Sequence, residues 1–303
     1  MRIKTNFSKL FTILGSAMLI LAAFTAQSQQ ETQQASAPEM LTEEDVILQV
    51  ELPEASGDLL DAIRQRGELQ VGVSTFIPWA MRNKDSELIG FEVDIAKQLA
   101  EDLGVELKLV PTSWSNIISD LLDGHYDVII SGLSITPERA LQVEFSQPYH
   151  YSDILLLANK AKAGKLTSPV DFNKAEITIG VRSGTTAAKV AARAFSNAKI
   201  EPFEVESTLY EAVRNGNLHA LVGSSPRPAM EPLRFPEDVY LPMENNEEKP
   251  EYLARTAEGF AVRKGNQSLL NYLNAWIQYH SYDDFLKEKD RIWFRTLDWT
   301  EQL

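Results

Sequence analysis

Two segments of this 303-residue chain place an arginine, small hydroxyl residues and a glycine just after an apolar run, a combination suited to receiving an anion. In SGLSITPERA, residues 131–140, the run VII at 128–130 gives way to a small-residue loop with free backbone N–H groups. Thr136 followed by Pro137 has the composition of a helix N-cap and first helical position. Arg139 falls in that first turn, where the helix macrodipole opposes a cation, so an incoming carboxylate would satisfy Arg139, Ser134 and the loop amides together. A surface salt bridge is the alternative. IGVRSGTTAAKVAARAF, residues 179–195, repeats the order of strand, glycine-containing loop and helix. Thr185 or Thr186 can cap its helix, and Arg182 with the loop amides makes a second anion-accepting corner, unless SGTT is only a capped turn. The spacing and lysine of GxxxxGK[ST] are missing, so nucleotide binding has no support.

A third group is aromatic. Phe76, Trp79 and Trp114 lie in segments that follow or approach strand ends, although aromatic side chains are more often core than ligand platforms. His125, His150, His219 and His280 show neither HExxH nor any paired spacing, and GxSxG does not occur. No metal, cofactor or catalytic residue is expected. Acid pairs such as Asp283 and Asp284 read as solvated charges.

Short β-rich runs alternate with helix-period segments from residue 57 onward, the pattern of parallel sheets flanked by helices. Strands are expected at 68–73, 106–110, 126–130, 176–181 and 220–223. In GFEVDIAKQLAEDLG, Ile95, Leu99 and Leu103 recur every four residues beside Ala96 and Ala100, and Gly104 stands at the C-terminal stop. SNIISDLLDG reads as a second helix burying Ile117, Ile118, Leu121 and Leu122 before Gly124. The rhythm restarts after about residue 165, so two α/β units joined across 153–160 and 259–264 would leave a cleft, a favoured ligand site.

Composition excludes several classes. Hydrophobic residues make 44% and charged residues 24%, an ordinary globular balance. Lys and Arg total 29 against 43 Asp and Glu, a net charge of −14 that repels nucleic acid and anionic membranes in the absence of a local basic patch, and none is evident. Zero cysteines remove disulfides, thiolate metal sites, cysteine nucleophiles and a lipid-modified N-terminal cysteine. Arg2, Lys4 and Lys9 precede an apolar run at 10–24 and small residues at 26–28, which reads as a secretory signal peptide over 1–28 with Gln29 as the mature start. Its loss leaves 26 bases against 43 acids, a net of −17. Residues 29–56 read as a polar linker and N-terminal extension, with an unassigned alternation at Val46, Leu48, Val50 and Leu52.

From Asp58 to Trp293 the chain resembles the bacterial extracellular solute-binding proteins of family 3, periplasmic receptors of polar amino-acid ABC transporters. The markers stand in order: GELQVGV, GFEVDIAKQLAEDLG, YDVIISGLSITPER, FSQPY, IGVRSGTT and GFAVRKGNQSLL. The resemblance implies an α/β, two-lobed periplasmic binding protein fold of type II, hinge-connected, with the second lobe inserted in the first. Residues 57–155 plus 258–303 would form lobe 1 and 156–257 lobe 2. It further implies that Arg139 clamps the ligand carboxylate with help from Ser134 and Thr186, that Ser131 and Gly132 offer loop contacts, and that Phe76 and Trp114 sandwich the ligand's apolar body, with Thr185 a further ligand contact. Arg182 would meet the ligand side chain, and Trp79 would support the site.

Relatives of this kind hold the ligand ammonium with an aspartate after the first strand or in the second lobe. Ser74 and Ser224 align there, with Ser224 kept as a ligand contact. Losing one partner of a buried charge pair costs roughly 2–5 kcal/mol, so an organic acid or an acidic amino acid is as consistent as an ordinary amino acid, the more so if Arg227 also converges on the cleft. The expected function is periplasmic capture of a small carboxylate-bearing solute by a monomer that delivers it to a transporter permease. Two alternatives stand beside it: a ligand sensor, and an enzyme of the branch that dehydrates prephenate or arogenate, which VPTSW and SGLSITPER also resemble. That branch's acid is expected where Arg227 stands.

Overall fold

The strand Glu68–Val73 buries Leu69, Val71 and Val73 and organises the first of two large sheets. Its neighbours are the parallel strands Glu106–Pro111 on one side and Val128–Ile129 on the other, with Val71 paired to Leu109 and to Val128. Ala261–Arg263 and then Val143–Phe145 complete the sheet in antiparallel pairing. Gly72 admits Tyr126: a Cβ there would stand 2.3 Å from the tyrosine ring. These are the features of a computed structural model, which describes residues 58–243, 251–296 and 299–302. The described residues belong to one compact unit, Pro53–Leu303. The signal-peptide reading of 1–28 and the linker reading of 29–56 lie outside them.

The second sheet runs in the order Val239–Tyr240, His150–Asn159, Ala220–Ser224, Thr178–Arg182, Lys199–Phe203, and Ala254–Glu258 also pairs with His150–Asn159. The chain leaves the first sheet at Phe145, enters the second at His150, and returns from Glu258 to Ala261. His150 and Glu258 face each other in register at that passage.

Helices cover both faces of each sheet, so apolar clusters form on either side of each. The helix Phe91–Leu103 ends, as its sequence predicts, at Gly104 in the left-handed conformation, and buries Phe91, Ile95, Ala96, Leu99 and Ala100. The second expected helix spans Ile117–Leu122 and buries Ile117 and Leu121, but Leu122 is 44% exposed. Six residues make under two turns, so only one face meets the core, and Leu122 points the other way. Among elements the sequence analysis did not anticipate, Gln267–Tyr282 packs Leu269, Leu273, Trp276 and Ile277 onto the first sheet's core. Lys160, Lys162, Lys165 and Lys174 line one surface recess with His219 and Glu176, where the segment after the long strand folds back beside Ile177.

Candidate functional site

Each arginine segment folds as a strand, a turn and a capped helix. Thr136 caps the short helix Pro137–Ala140, its Oγ1 accepting from Arg139 N at 3.2 Å, with Pro137 at the first position. Thr185 caps Thr186–Ala194: its Oγ1 accepts from Ala188 N at 3.1 Å and donates to Arg182 O at 2.7 Å.

Between the two sheets lies a small cavity. Phe76, Trp114, Gly132 and Ser134 reach it from the first-sheet side, and Arg182, Thr185, Thr186 and Ser224 from the second. Eight of the ten predicted contacts thus share one cavity. Of the other two, Arg139 lines an adjoining recess that also includes Trp114, and Ser131 stands behind the wall with its Oγ accepting from Ser74 N at 2.8 Å. Trp79 is 1% exposed and stacks beneath Phe76 at 5.9 Å, a supporting position. Gly132 takes a left-handed φ of +57°, and its N–H donates to the buried carboxylate of Glu92, which also accepts from Tyr149 Oη. Burial pushes Glu92 up to about 7 despite those bonds.

Both arginines reach across the cleft. Arg139 donates to Ser134 O at 2.9 Å on its own side and to Gly184 O at 3.1 Å on the other. Arg182 donates to Ser74 Oγ at 3.2 Å and Thr75 O at 3.3 Å. The two guanidinium carbons lie 5.5 Å and 5.4 Å from the Trp114 ring, cation–π distances. Neither forms a salt bridge among the described residues, while burial lowers the pKa of both, that of Arg139 to about 10. Two desolvated cations therefore flank one indole, hydrogen-bonded to carbonyl and hydroxyl groups, with Glu206 and Glu204 acting on Arg182, and Glu138 on Arg139, from beyond salt-bridge contact.

Arg227 stands close by, lining a neighbouring recess with Arg182, Phe76 and Trp114. Its guanidinium is buried against Glu206 at 2.5 Å and Glu231 at 3.2 Å, because helix spacing brings Glu231 onto the face of Arg227 and Glu206 meets the same face. Glu206 is the residue that sequence reasoning missed. It begins the helix Glu206–Arg214 and puts a carboxylate on the cavity wall, beside Leu209 and Tyr210. The available signal was positional: Glu206 follows the end of a strand and opens a helix, as Thr186 does.

The chain is 30% identical over 241 residues, 79% of its length and 87% of the other's, to the L-cystine-binding protein TcyJ of Escherichia coli K12. It is 24% identical over the same shares to the cyclohexadienyl dehydratase of Pseudomonas aeruginosa. The crystal structure of the ancestral amino acid-binding protein AncCDT-1, a precursor of cyclohexadienyl dehydratase, is matched at 33% identity with a TM-score of 0.70, covering 79% of this chain and 100% of that one. Residues 69–296 match the model of one family across both sheets and both arginine segments. The two-lobed α/β fold and the cleft between its sheets are thus those of the bacterial extracellular solute-binding proteins, family 3, to which this chain belongs.

Proposed function

We propose that this protein is an exported, monomeric receptor that captures a small carboxylate-bearing solute by closing two lobes and presents the closed form to the permease of an ABC transporter. In this reading residues 1–28 are the signal peptide, and the lobe built on the first sheet moves against the lobe built on the second, which the chain enters at His150 and leaves at Glu258. The observation that carries it is the pair of desolvated guanidiniums, Arg139 and Arg182, either side of Trp114, neither in direct contact with a carboxylate among the described residues, although Glu206 and Glu204 act on Arg182 from nearby. A carboxylate entering the cleft supplies that partner, and Ser134 and Thr186 contact it from opposite walls. A solute touching both walls biases the closed state by its differential affinity. Phe76 and Trp114 offer the apolar faces.

A thermal-shift screen of amino acids and small organic acids identifies the solute. Arg139→Ala is expected to abolish its binding while the unfolding temperature stays nearly unchanged. Affinity retained within about threefold, worth under 1 kcal/mol, sinks the assignment of Arg139. A second reading, dehydration of a prephenate-like acid, draws on the dehydratase relative and on the carboxylate of Glu206 in the cavity. Phenylpyruvate formed on incubation with prephenate would favour it over the receptor.

A further inference from the structure

We infer that Glu138 and Lys189 form a latch across the cleft, which joins the helices carrying Arg139 and Thr186 and keeps the charge of Glu138 from opposing an incoming carboxylate. The inference rests on the reading of the cleft as a carboxylate site closed by two lobes, and it adds two positioning residues outside the cavity.

Each partner sits one step from a residue of the proposed site. Glu138 precedes Arg139 in the short helix Pro137–Ala140, and successive helical residues point roughly 100° apart, so Arg139 turns into the cleft while Glu138 stays in solvent. Lys189 follows the cavity residue Thr186 by three positions in Thr186–Ala194, which puts both on one face of that helix. Lys189 Nζ donates to Glu138 Oε2, and the adjacent Arg139 crosses the same gap to Gly184 O. Apart from the pairs of His150, where the chain passes between the sheets, this is the one ion pair among the described residues that joins the two sides.

The pair is exposed, 58% at the Lys189 side chain and 68% at that of Glu138, so water and salt screen it and it adds little to folding. Its effect falls on the balance between open and closed lobes, because the contact exists only when the two helices meet. An interaction made in one state alone shifts the equilibrium by its full strength. The second effect is electrostatic. Glu138 acts on the guanidinium of Arg139, the group that would receive the carboxylate. Lys189, by hydrogen bond and charge, and Arg139 after it hold Glu138 below the usual carboxylate range, so Glu138 is an anion at neutral pH. Lys189 balances that charge; without it an unpaired acid stands beside the clamp.

The two partners are therefore not equivalent. Lys189→Met opens the latch and leaves the acid, whereas Glu138→Gln opens the latch and removes the acid with it. Calorimetry and stopped-flow binding on the purified full chain separate them, with L-lysine, L-glutamate, glutarate and the strongest binder of the thermal-shift screen as probes. For each probe that binds the native protein, Lys189→Met is expected to weaken affinity about fivefold and Glu138→Gln about twofold, chiefly through faster dissociation. The double variant is expected to bind no more weakly than Lys189→Met, and the Lys189→Met loss to shrink below about twofold near 1 M NaCl. A Glu138→Gln protein that binds as tightly as the native one or tighter would overturn the latch, as would a Lys189→Met loss confined to the association rate, which marks a steering charge only. Either result leaves the carboxylate-binding reading standing. If no carboxylate in this panel or the wider screen binds, both fall.

Discussion

Each side of the cleft buries an ionic cluster, and the two are built from different chemistry. On the second-sheet side Arg227, 4% exposed, is shared between Glu206 and Glu231, lies 3.7 Å from the Tyr210 ring centroid, and leaves Glu231 a further bond from Arg214 at 3.1 Å. On the first-sheet side Glu92 takes Tyr149 Oη and Gly132 N, while His150 sits between Glu258 at 3.3 Å and Asp290 at 3.2 Å. A guanidinium keeps its charge at any ordinary pH. The first-sheet cluster does not have that security. Burial pushes Glu92 up to about 7, and although burial opposes charge on His150, Asp290 and Glu258 outweigh it and raise its pKa above 6.5. Burial raises the pKa of Glu206 as well, against the pull of Arg227 and Arg182, so the buried carboxylates are met by permanent cations on the second-sheet side and by groups that share protons on the first.

The sharpest way to break that contrast is Arg227→Met, which strands Glu206 and Glu231 without their shared cation. A loss of about 3–5 kcal/mol is expected in urea unfolding at pH 7. A loss below 1 kcal/mol would mean that the pairing is dispensable and the two clusters differ only in appearance.

The pH response comes next in size. Glu92 holds its proton more tightly folded than unfolded, so its contribution to stability is complete below its ordinary 4.5 and is lost as pH rises through about 7. His150, also raised, contributes with the same sign: fully below 6.5, and lost as pH rises through its folded value. For Glu92 the displacement corresponds to a loss of about 3 kcal/mol at most. Unfolding free energy of Glu92→Gln between pH 4 and 8 is expected to fall less steeply than that of the native protein by up to this amount. Parallel curves would remove Glu92 from the titration.

Much of this was legible because it is local. The period of Ile95 and Leu99, the Gly104 stop and the Thr136–Pro137 cap each lie within a few residues, and each stands where the pattern puts it. Leu122 misled because periodicity says which residues share a face, not how many turns the helix will have. Glu206 was hidden for a different reason: at a helix start an acid is stabilised by the macrodipole and needs no further role, so only the packing of its helix against the cleft distinguishes it from the chain's other acids. The pairing of Arg227 was hidden for the matching reason, since its partner Glu206 is 21 residues away in sequence. The repeat of Leu269, Leu273, Trp276 and Ile277 carried a readable helical period, and nothing physical concealed it.

The smallest effect sharpens the first-sheet side of the contrast. Tyr149→Phe removes the hydroxyl that donates to Glu92 and accepts from Gly132 N at 3.3 Å. A typical hydrogen bond contributes about 1 kcal/mol net, and one to a charged group more. The hydroxyl favours the ionised form of Glu92, so its removal is expected to cost more at pH 8, where that form prevails, than at pH 5, where the carboxyl is protonated. The apparent pKa of Glu92, read from its side-chain carbon resonance, should rise further in the variant. An equal cost at both pH values with no such rise would show that the hydroxyl serves the Gly132 loop alone and that the proton-sharing on this side is narrower than the geometry implies.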